Sequence, residues 1–383
     1  MCQRPNLTNM KWKVLIILLT ISGSMLKAQE NTKEVFRDTL DGKPDMSRYL
    51  TEMNGFIPMP QLITEPALGN IGIVLAPIFI KPNKYQQENR YNPPDITAAF
   101  AGYTANQTWM VGGLRVASLP KYGLKYRIGA GYASVNLDFY RDIPIKGETE
   151  FPFNFKTLPI FGSLIKEIGN TNIYAGVEYL FLKTEVTPEF TGSLPHFIED
   201  KSFSTIQSSP GLVVEYDGRD NIFTPNKGTF VSTNYRINAN WTGSDFDYEN
   251  LKFYILQYFQ TTTNWVSGFR LETQQQFGDA PFYLEPGLNM RGVPAVRYQG
   301  TSTYLMETEQ RYDFNLRWSG VAFGGMAKAY NEKQSFAEAD LVYNYGLGFR
   351  YLAARLFNLR MGVDVAWSNN DFGYYIIFGS AWR

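Results

Sequence analysis

The chain has 383 residues, with 36 basic and 36 acidic side chains, one histidine and one cysteine. These counts exclude a disulfide framework, a thiolate metal site and the basic stripe of a nucleic-acid binder. Aromatic residues make up 16% of the chain, and no segment after the N-terminal one is apolar for long enough to cross a bilayer as a helix, so a helical membrane protein is excluded as well.

The first element is a secretory signal peptide over residues 1–28. Lys11 and Lys13 precede an apolar run over 14–21 that continues weakly to Leu26, and Ala28 then precedes the polar stretch QENTKE. A basic region, a short apolar region and a small residue at its end is the pattern of a cleaved export signal, and the run is too short to span a membrane. Met10 opens the tidier form of the same signal, and Cys2 lies ahead of the apolar run, so it cannot anchor a lipid at a mature N-terminus. Cleavage near Ala28 removes four basic residues and no acidic one, which brings the net charge to −4 and leaves no cysteine.

Residues 29–56 are polar and unpatterned, and are expected to be a short periplasmic tail. From residue 57 to 383 one theme repeats: a strand-like run, then a turn rich in Gly, Pro, Asn and Asp. Fifteen runs are clear, near 69–80, 96–105, 108–118, 122–140, 151–166, 172–189, 204–217, 228–240, 247–260, 264–277, 303–316, 319–330, 339–352, 357–367 and 372–382. Barrels made of one bacterial chain have even strand numbers, so sixteen are expected, the missing one near 57–66. The connections 81–95, 190–203 and 278–302 read as long loops, and TTTN at 261–264 as a short periplasmic turn.

Alternation assigns the faces. From Thr229, one side carries Val231, Thr233, Tyr235, Ile237, Ala239 and Trp241, and the other Phe230, Ser232, Asn234, Arg236, Asn238 and Asn240. From Leu341, one side carries Tyr343, Tyr345, Leu347, Phe349 and Tyr351, and the other Val342, Asn344, Gly346, Gly348 and Arg350. Period-two patterning in runs this long fits strands that cross a bilayer at a tilt, apolar side to lipid and polar side to a lumen. Trp109, Tyr122, Tyr140, Trp241, Trp265, Trp318, Trp367 and Trp382 recur near strand ends, as two interfacial girdles require. The fold class is therefore all-β: a single transmembrane antiparallel barrel in a Gram-negative outer membrane.

Three segments carry a resemblance. DGRDNIFTPNKG holds Asp217, Arg219, Asp220, Asn221, Pro225 and Gly228 just ahead of a strand. MRGVPAVRYQG (290–300) holds Arg291 and Gly292 in the longest loop, with five strands after it. YYIIFGSAW (374–382) alternates Tyr374, Ile376 and Phe378 and ends near Trp382. Together they resemble the barrels of the BamA/TamA superfamily, also called bacterial surface antigens. The resemblance implies a periplasmic turn at the first motif, a loop folded into the lumen at the second and a C-terminal assembly signal at the third. It also implies pairing of Arg291 with an acid of the inner wall, and Glu309 is the expected partner. The inward set on that strand reads Leu305, Glu307, Glu309, Arg311, Asp313, Asn315 and Arg317.

The chain departs from the family in places. Val293 stands where an aromatic residue usually follows Arg-Gly, Gly324 and Gly325 follow Phe323 where the family often has an acid, and Arg383 follows Trp382. Residues 29–56 are too short for a POTRA domain, the module that binds clients and partner lipoproteins in the family.

The remaining motifs have plainer readings. The DGRDN segment lacks the Asp spacing and distal Glu of a calcium loop. His196, with Glu199 and Asp200 nearby, lacks a serine motif and reads as a loop residue. GGLR and GLGF are strand glycines. No catalytic residue, metal or cofactor is expected. Expected partners are outer-membrane lipid, the barrel assembly machinery during biogenesis and a separate periplasmic protein. The functional expectation is transport, insertion or surface exposure of protein or lipid at the outer membrane, with a general diffusion pore as the alternative and a lipid hydrolase third.

Overall fold

The computed structural model describes residues 34–52, 56–69, 71–83, 92–143, 147–189, 202–332 and 334–382. The signal peptide expected over 1–28 and His196 lie outside the described residues, as do the side chains of 52–61, 66 and 140–148. Sixteen described strands form one sheet in simple chain order, each antiparallel to the next. They are β1 (Phe56–Ile63), β2 (Gly72–Lys81), β3 (Asp95–Thr104), β4 (Trp109–Leu119), β5 (Leu124–Ile143), β6 (Gly147–Glu167), β7 (Ile173–Pro188), β8 (Phe203–Asp217), β9 (Gly228–Asn238), β10 (Tyr248–Gln260), β11 (Trp265–Gly278), β12 (Ser302–Asp313), β13 (Trp318–Tyr330), β14 (Val342–Ala354), β15 (Leu359–Ser368) and β16 (Phe372–Phe378). The sheet curls into a nearly closed barrel. β1 and β16, the two shortest strands at eight and seven residues, lie side by side, but among the described residues no ladder joins them.

The period-two pattern decides which face meets which environment. Tyr343, Tyr345, Leu347 and Phe349 of β14 are exposed on the outer wall, while Val342, Asn344 and Arg350 are buried inside. Ladder partners carry the same assignment to neighbouring strands: Leu347 pairs with Ala322 and Val365, and Tyr235 of β9 with the exposed Leu212 of β8. The outer wall is thus a continuous apolar band, with Trp109, Trp265, Trp318 and Trp367 exposed near its rims.

All even-numbered turns, counted along the chain, lie at the end that also holds both described termini; this is the terminal end, and the opposite one the distal end. The expected strand near 57–66 is β1. The connections expected at 81–95 and 190–203 follow β2 and β7, but residues 84–91 and 190–201 lie outside the described residues. β9 stops at Asn238, because residues 240–242 tighten into a single 3-10 turn closed by Gly243 at φ +89°, and this carries Trp241 off the strand. β5 and β6 reach 20 and 21 residues, well beyond the roughly 9–11 needed to cross a bilayer. Their distal halves stand above the band as a long hairpin.

Residues 34–52 are not a free tail. They form a short turn and a helix, α1 (Ser47–Glu52), packed on the terminal end. Leu50 is fully buried with Ile80, Ala354, Phe357 and Leu359, and the backbone N–H of Met46 donates to Ala353 O at 2.6 Å. Polarity misleads here because the acids face arginines rather than water. Asp38, Asp41 and Asp45 all pair with Arg317, at 2.5, 2.7 and 2.5 Å. Arg355 also binds Asp38. These contacts hold the Asp38 carboxyl well below the usual carboxylate range, first through the hydrogen bond from Arg355, and lower that of Asp41 through Arg317.

Candidate functional site: a loop-crossed and charge-paired lumen

The connection from β11 to β12, residues 279–301, folds into the barrel rather than away from it. Its two arms are joined by backbone bonds from Leu288 N to Tyr298 O and from Gly300 N to Pro286 O, both 3.0 Å. One shoulder docks on the β5–β8 wall. The Phe282 ring sits 5.0 Å from Phe139 and 5.3 Å from Phe153, and the Tyr283 hydroxyl lies 2.8 Å from Thr205 Oγ1. The tip docks on the β12–β16 wall, where Leu288, Met290 and Val293 bury against Leu305, Ala327 and Val342. Val293 thus fills an aliphatic site. The loop spans the distal mouth from one wall to the other.

Arg291 is the buried centre of the tip. Its guanidinium forms an ion pair with Glu309 at 2.9 Å and a hydrogen bond to Asp364 at 2.5 Å. It also stacks on the Phe323 ring, 3.5 Å from the centroid. Asp364 is itself gripped by both amino groups of Arg350, at 2.5 and 2.9 Å. Glycines on β14 leave room for this arrangement. A Cβ at Gly346 would lie 2.2 Å from the Phe323 ring, and one at Gly348 would lie 1.9 Å from Asp364 Oδ1. Gly292 has φ +85°, a conformation that side chains rarely adopt, and this turns its N–H to the Tyr375 hydroxyl (2.8 Å) and its carbonyl to Ser368 Oγ (2.7 Å).

The network extends along the wall. Asn344 Nδ2 donates to Arg291 O at 2.9 Å and to Glu307 Oε1 at 3.0 Å. Arg270 donates to Glu307 (2.7 Å), to Asn289 O of the loop (3.0 Å) and to Glu272 (2.6 Å), which also pairs with Lys252 at 2.7 Å. Four cations, Lys252, Arg270, Arg291 and Arg350, therefore meet four carboxylates, Glu272, Glu307, Glu309 and Asp364. Lys252 is half-exposed, but the buried charges among these persist only when paired and hydrogen-bonded, so the loop tip is an integral part of the wall's charge balance. At the outer edge, Arg297 pairs with Asp371 at 2.9 Å, and Ala295 N donates to Glu65 at 2.9 Å.

The terminal mouth is crossed by a second segment, the turn 218–227 between β8 and β9. Asp217 receives Arg219 through both oxygens, at 2.9 Å each, and the Arg219 guanidinium lies over Phe230. Asp220 accepts the backbone N–H groups of Asn226 and Lys227, and Asn221 those of Phe223 and Thr224. Gly228 (φ +108°) packs so closely on Gly218 that a Cβ there would lie 2.3 Å from Gly218 O, so no side chain fits. The turn then reaches across the opening. Asn221 Nδ2 donates to Phe357 O at 3.0 Å, Asn358 Nδ2 to Thr224 O at 2.7 Å, and Arg311 binds Asn226 Oδ1 and, weakly, Pro225 O.

The C-terminal residues add a third insertion. Tyr374, Ile376 and Phe378 lie on the outward parity of β16, opposite Val365, Val363 and Met361. The expected strand over 372–382 ends at Phe378, because Gly379 takes φ +77° and donates to Arg360 O at 2.7 Å. Trp382 consequently enters the lumen rather than an outer girdle. It buries against Phe230, Tyr254, Leu256, Tyr258 and Val266, and its carbonyl accepts from the Tyr254 hydroxyl at 2.7 Å.

Of the residues singled out in the sequence, Arg291, Gly292 and Glu309 come together at the tip, and Asp217, Arg219, Asp220, Asn221, Pro225 and Gly228 at the terminal turn. Sequence reasoning misses the part played by Asp364, Arg350, Arg270 and Phe323. The signal for Asp364 is the lone acid of β15, LRMGVDVAWS, at an inward position flanked by Val363 and Val365. Asn315 and Arg317, expected on the inner wall, lie past the end of β12 in the terminal turn, where Arg317 serves the N-terminal segment. Among the described residues no cluster of His, Cys, Asp and Glu is arranged to hold a metal ion.

No protein-family model matches the chain, and no curated protein matches it. Similar solved structures exist. A BamA from Haemophilus ducreyi lacking POTRA domains 1–3 aligns at 11% identity and TM-score 0.56, over 84% of this chain and 68% of that one. CdiB from Escherichia coli aligns at 7% identity and TM-score 0.57, over 83% and 62%. CdiB from Acinetobacter baumannii aligns at 10% identity and TM-score 0.52, over 84% and 58%. The chain spans less than two thirds of either CdiB, and at these identities the likeness is one of fold: a sixteen-stranded barrel similar to those of BamA and CdiB.

Proposed function

We propose that the chain is an outer-membrane barrel of the BamA/TamA type that transports, inserts or exposes a protein or lipid client at the outer membrane. The observation that carries this reading is the loop 279–301, held inside the lumen by Arg291 between Glu309 and Asp364. A general diffusion pore needs an unobstructed lumen. Here the loop crosses the distal mouth, the turn 218–227 crosses the terminal mouth and Trp382 enters the lumen. A barrel whose interior is occupied by its own chain is suited to work through displacement of those segments or at its wall, and the unladdered β1–β16 edge is the weak line of that wall. In this reading the distal end faces outward and the terminal end faces the periplasm, where a separate protein supplies client binding. No catalytic step is assigned.

Two measurements on the full chain test the proposal. Reconstituted in a planar bilayer, the native protein is expected to conduct little, and Asp364→Ala, which frees the loop tip, to conduct more. Depletion in the source bacterium is expected to lower the amount of particular proteins or lipids that reach the outer surface. A large, steady conductance of the native protein, together with an unchanged surface on depletion, would establish the pore instead.

A further inference from the structure

The outer wall of the β9–β16 half is almost free of charge at its described outward positions. Lys328, near the distal end of β13, is a cation there, opposite Tyr304 of β12 in the outward register. The connection from β13 to β14 leans back over it. Lys328 Nζ donates to Phe336 O at 2.8 Å and lies 4.7 Å from the centre of the Phe336 ring. That ring stands edge-on to Tyr304 (5.7 Å) and Tyr330 (6.0 Å), which are stacked on each other. Below this roof runs a groove of 410 Å³, walled by Leu271, Met306, Met326 and Leu341. The four side chains and the Phe336 ring are exposed, so the groove opens outward.

We propose that this groove seats one acyl chain of a phosphate-bearing lipid of the surrounding leaflet, with the lipid phosphate at Lys328. The proposal rests on the membrane reading given above. Its argument is complementarity. An ammonium has three donors, and Phe336 O takes one, which leaves two for a phosphate at the depth where aromatic rings mark the interface. The apolar channel beneath would otherwise be an unfilled dent in the wall. Glu338, in the same connection, is turned back on the N–H and hydroxyl of Ser335, at 2.9 and 2.8 Å, and leaves Lys328 to the phosphate.

The test is native mass spectrometry of the full chain, purified in neutral detergent and titrated with dioleoylphosphatidylglycerol. Dioleoylglycerol, with the same chains and no phosphate, is the comparison. The native protein is expected to retain one phosphatidylglycerol in preference to diacylglycerol. Lys328→Ala is expected to lower retention about fivefold, the worth of one basic residue near an anionic surface, and Lys328→Arg to restore it. Met326→Trp, which fills the groove, is expected to weaken both lipids, and Lys81→Ala, at the terminal end of the wall, neither. Each variant is scored on its folded, heat-modifiable form. Equal retention of the two lipids, or equal retention by the native protein and Lys328→Ala, overturns the proposal. The lumenal reading is tested separately by conductance and depletion, so either can fail without the other.

Discussion

Arg291 and Asp364 meet at 2.5 Å although 73 residues separate them, and the meeting ties the tip of an inward-folded loop to the last strand but one. Asp364 also carries Arg350, so one carboxylate serves two buried guanidinium groups, while among the described residues Glu309 pairs with Arg291 alone. The inner wall has no acid at Gly325, and Asp364 supplies the negative charge from a neighbouring part of the wall.

This asymmetry ranks the substitutions. Asp364→Ala leaves two cations facing each other in a buried site and is expected to cost the barrel about 3–5 kcal/mol, the usual loss when one member of a buried pair is removed. Glu309→Ala is expected to cost less, because Arg291 keeps Asp364. Combining Arg291→Ala with Asp364→Ala is expected to cost less than the sum of the two, since the cation removed no longer needs its partner. Urea unfolding of the barrel in detergent micelles measures the native protein, the three single variants and the double variant. Additive losses, or equal losses for Asp364→Ala and Glu309→Ala, would refute the ranking.

Gly292 gives a second handle on the same loop. A Cβ there would stand 3.1 Å from the backbone of Trp367, and the left-handed conformation costs a side chain about 1–2 kcal/mol even in open space. Gly292→Ala is therefore expected to loosen the tip while leaving the strands intact. Met290, buried in the native fold, reports on it. The thiol of Met290→Cys is expected to resist a membrane-impermeant maleimide in the native background and to react once Gly292→Ala is added. Equal reactivity in both would show that the tip is not held by this residue.

The barrel is legible in the sequence because alternation is local. Each strand from β2 to β16 carries its own inward and outward sets, so face assignment needs no knowledge of its neighbours. Three features are not legible: two depend on partners distant in sequence and one on a local backbone turn. Polar residues 34–52 read as a tail because nothing in DTLDGKPD announces that Arg317 and Arg355 wait at the barrel end. Asp364 escapes notice because one of its two cations, Arg291, lies in a loop 73 residues upstream. Trp382 reads as the end of a strand because YYIIFGSAW alternates through Phe378, and only the left-handed Gly379 diverts it.

The N-terminal segment should respond to acid in a defined direction. Asp38 and Asp41 have carboxyl pKa values below the ordinary 3.8 because arginines donate to them. A carboxylate lowered by folding contributes stability above its unfolded value, and that contribution disappears as pH falls through the folded one. Docking of residues 34–52 is thus expected to be unchanged from about pH 7 to about pH 5 and to fail only well below about pH 4. Arg317→Ala, which removes the shared partner, is expected to release the segment at neutral pH. Hydrogen exchange of Met46 and Leu50 amides, which donate to Ala353 O and Met46 O, follows both. Release of the native segment at a pH above the ordinary carboxylate range would contradict the argument.

Trp382 separates two roles that the same residue could have. As part of an assembly signal it would act before the barrel closes, and Trp382→Ala would slow insertion. As a lumenal anchor it acts afterwards, through burial against Phe230, Tyr254, Leu256, Tyr258 and Val266. The structure supplies a way to perturb the anchor without touching the C-terminal sequence. Gly268 of β11 faces the indole, and a Cβ there would lie 2.9 Å from the ring. Gly268→Val is therefore expected to expel the ring and reproduce the stability loss of Trp382→Ala, about 3–5 kcal/mol for emptying a buried Trp site. The insertion rate into liposomes should be normal in Gly268→Val. If the anchor is the whole of Trp382's role, insertion is normal in Trp382→Ala too, and the two variants match in both assays. If Trp382→Ala alone inserts slowly, the residue also serves assembly. If neither variant loses stability, the lumenal site does not hold the tail.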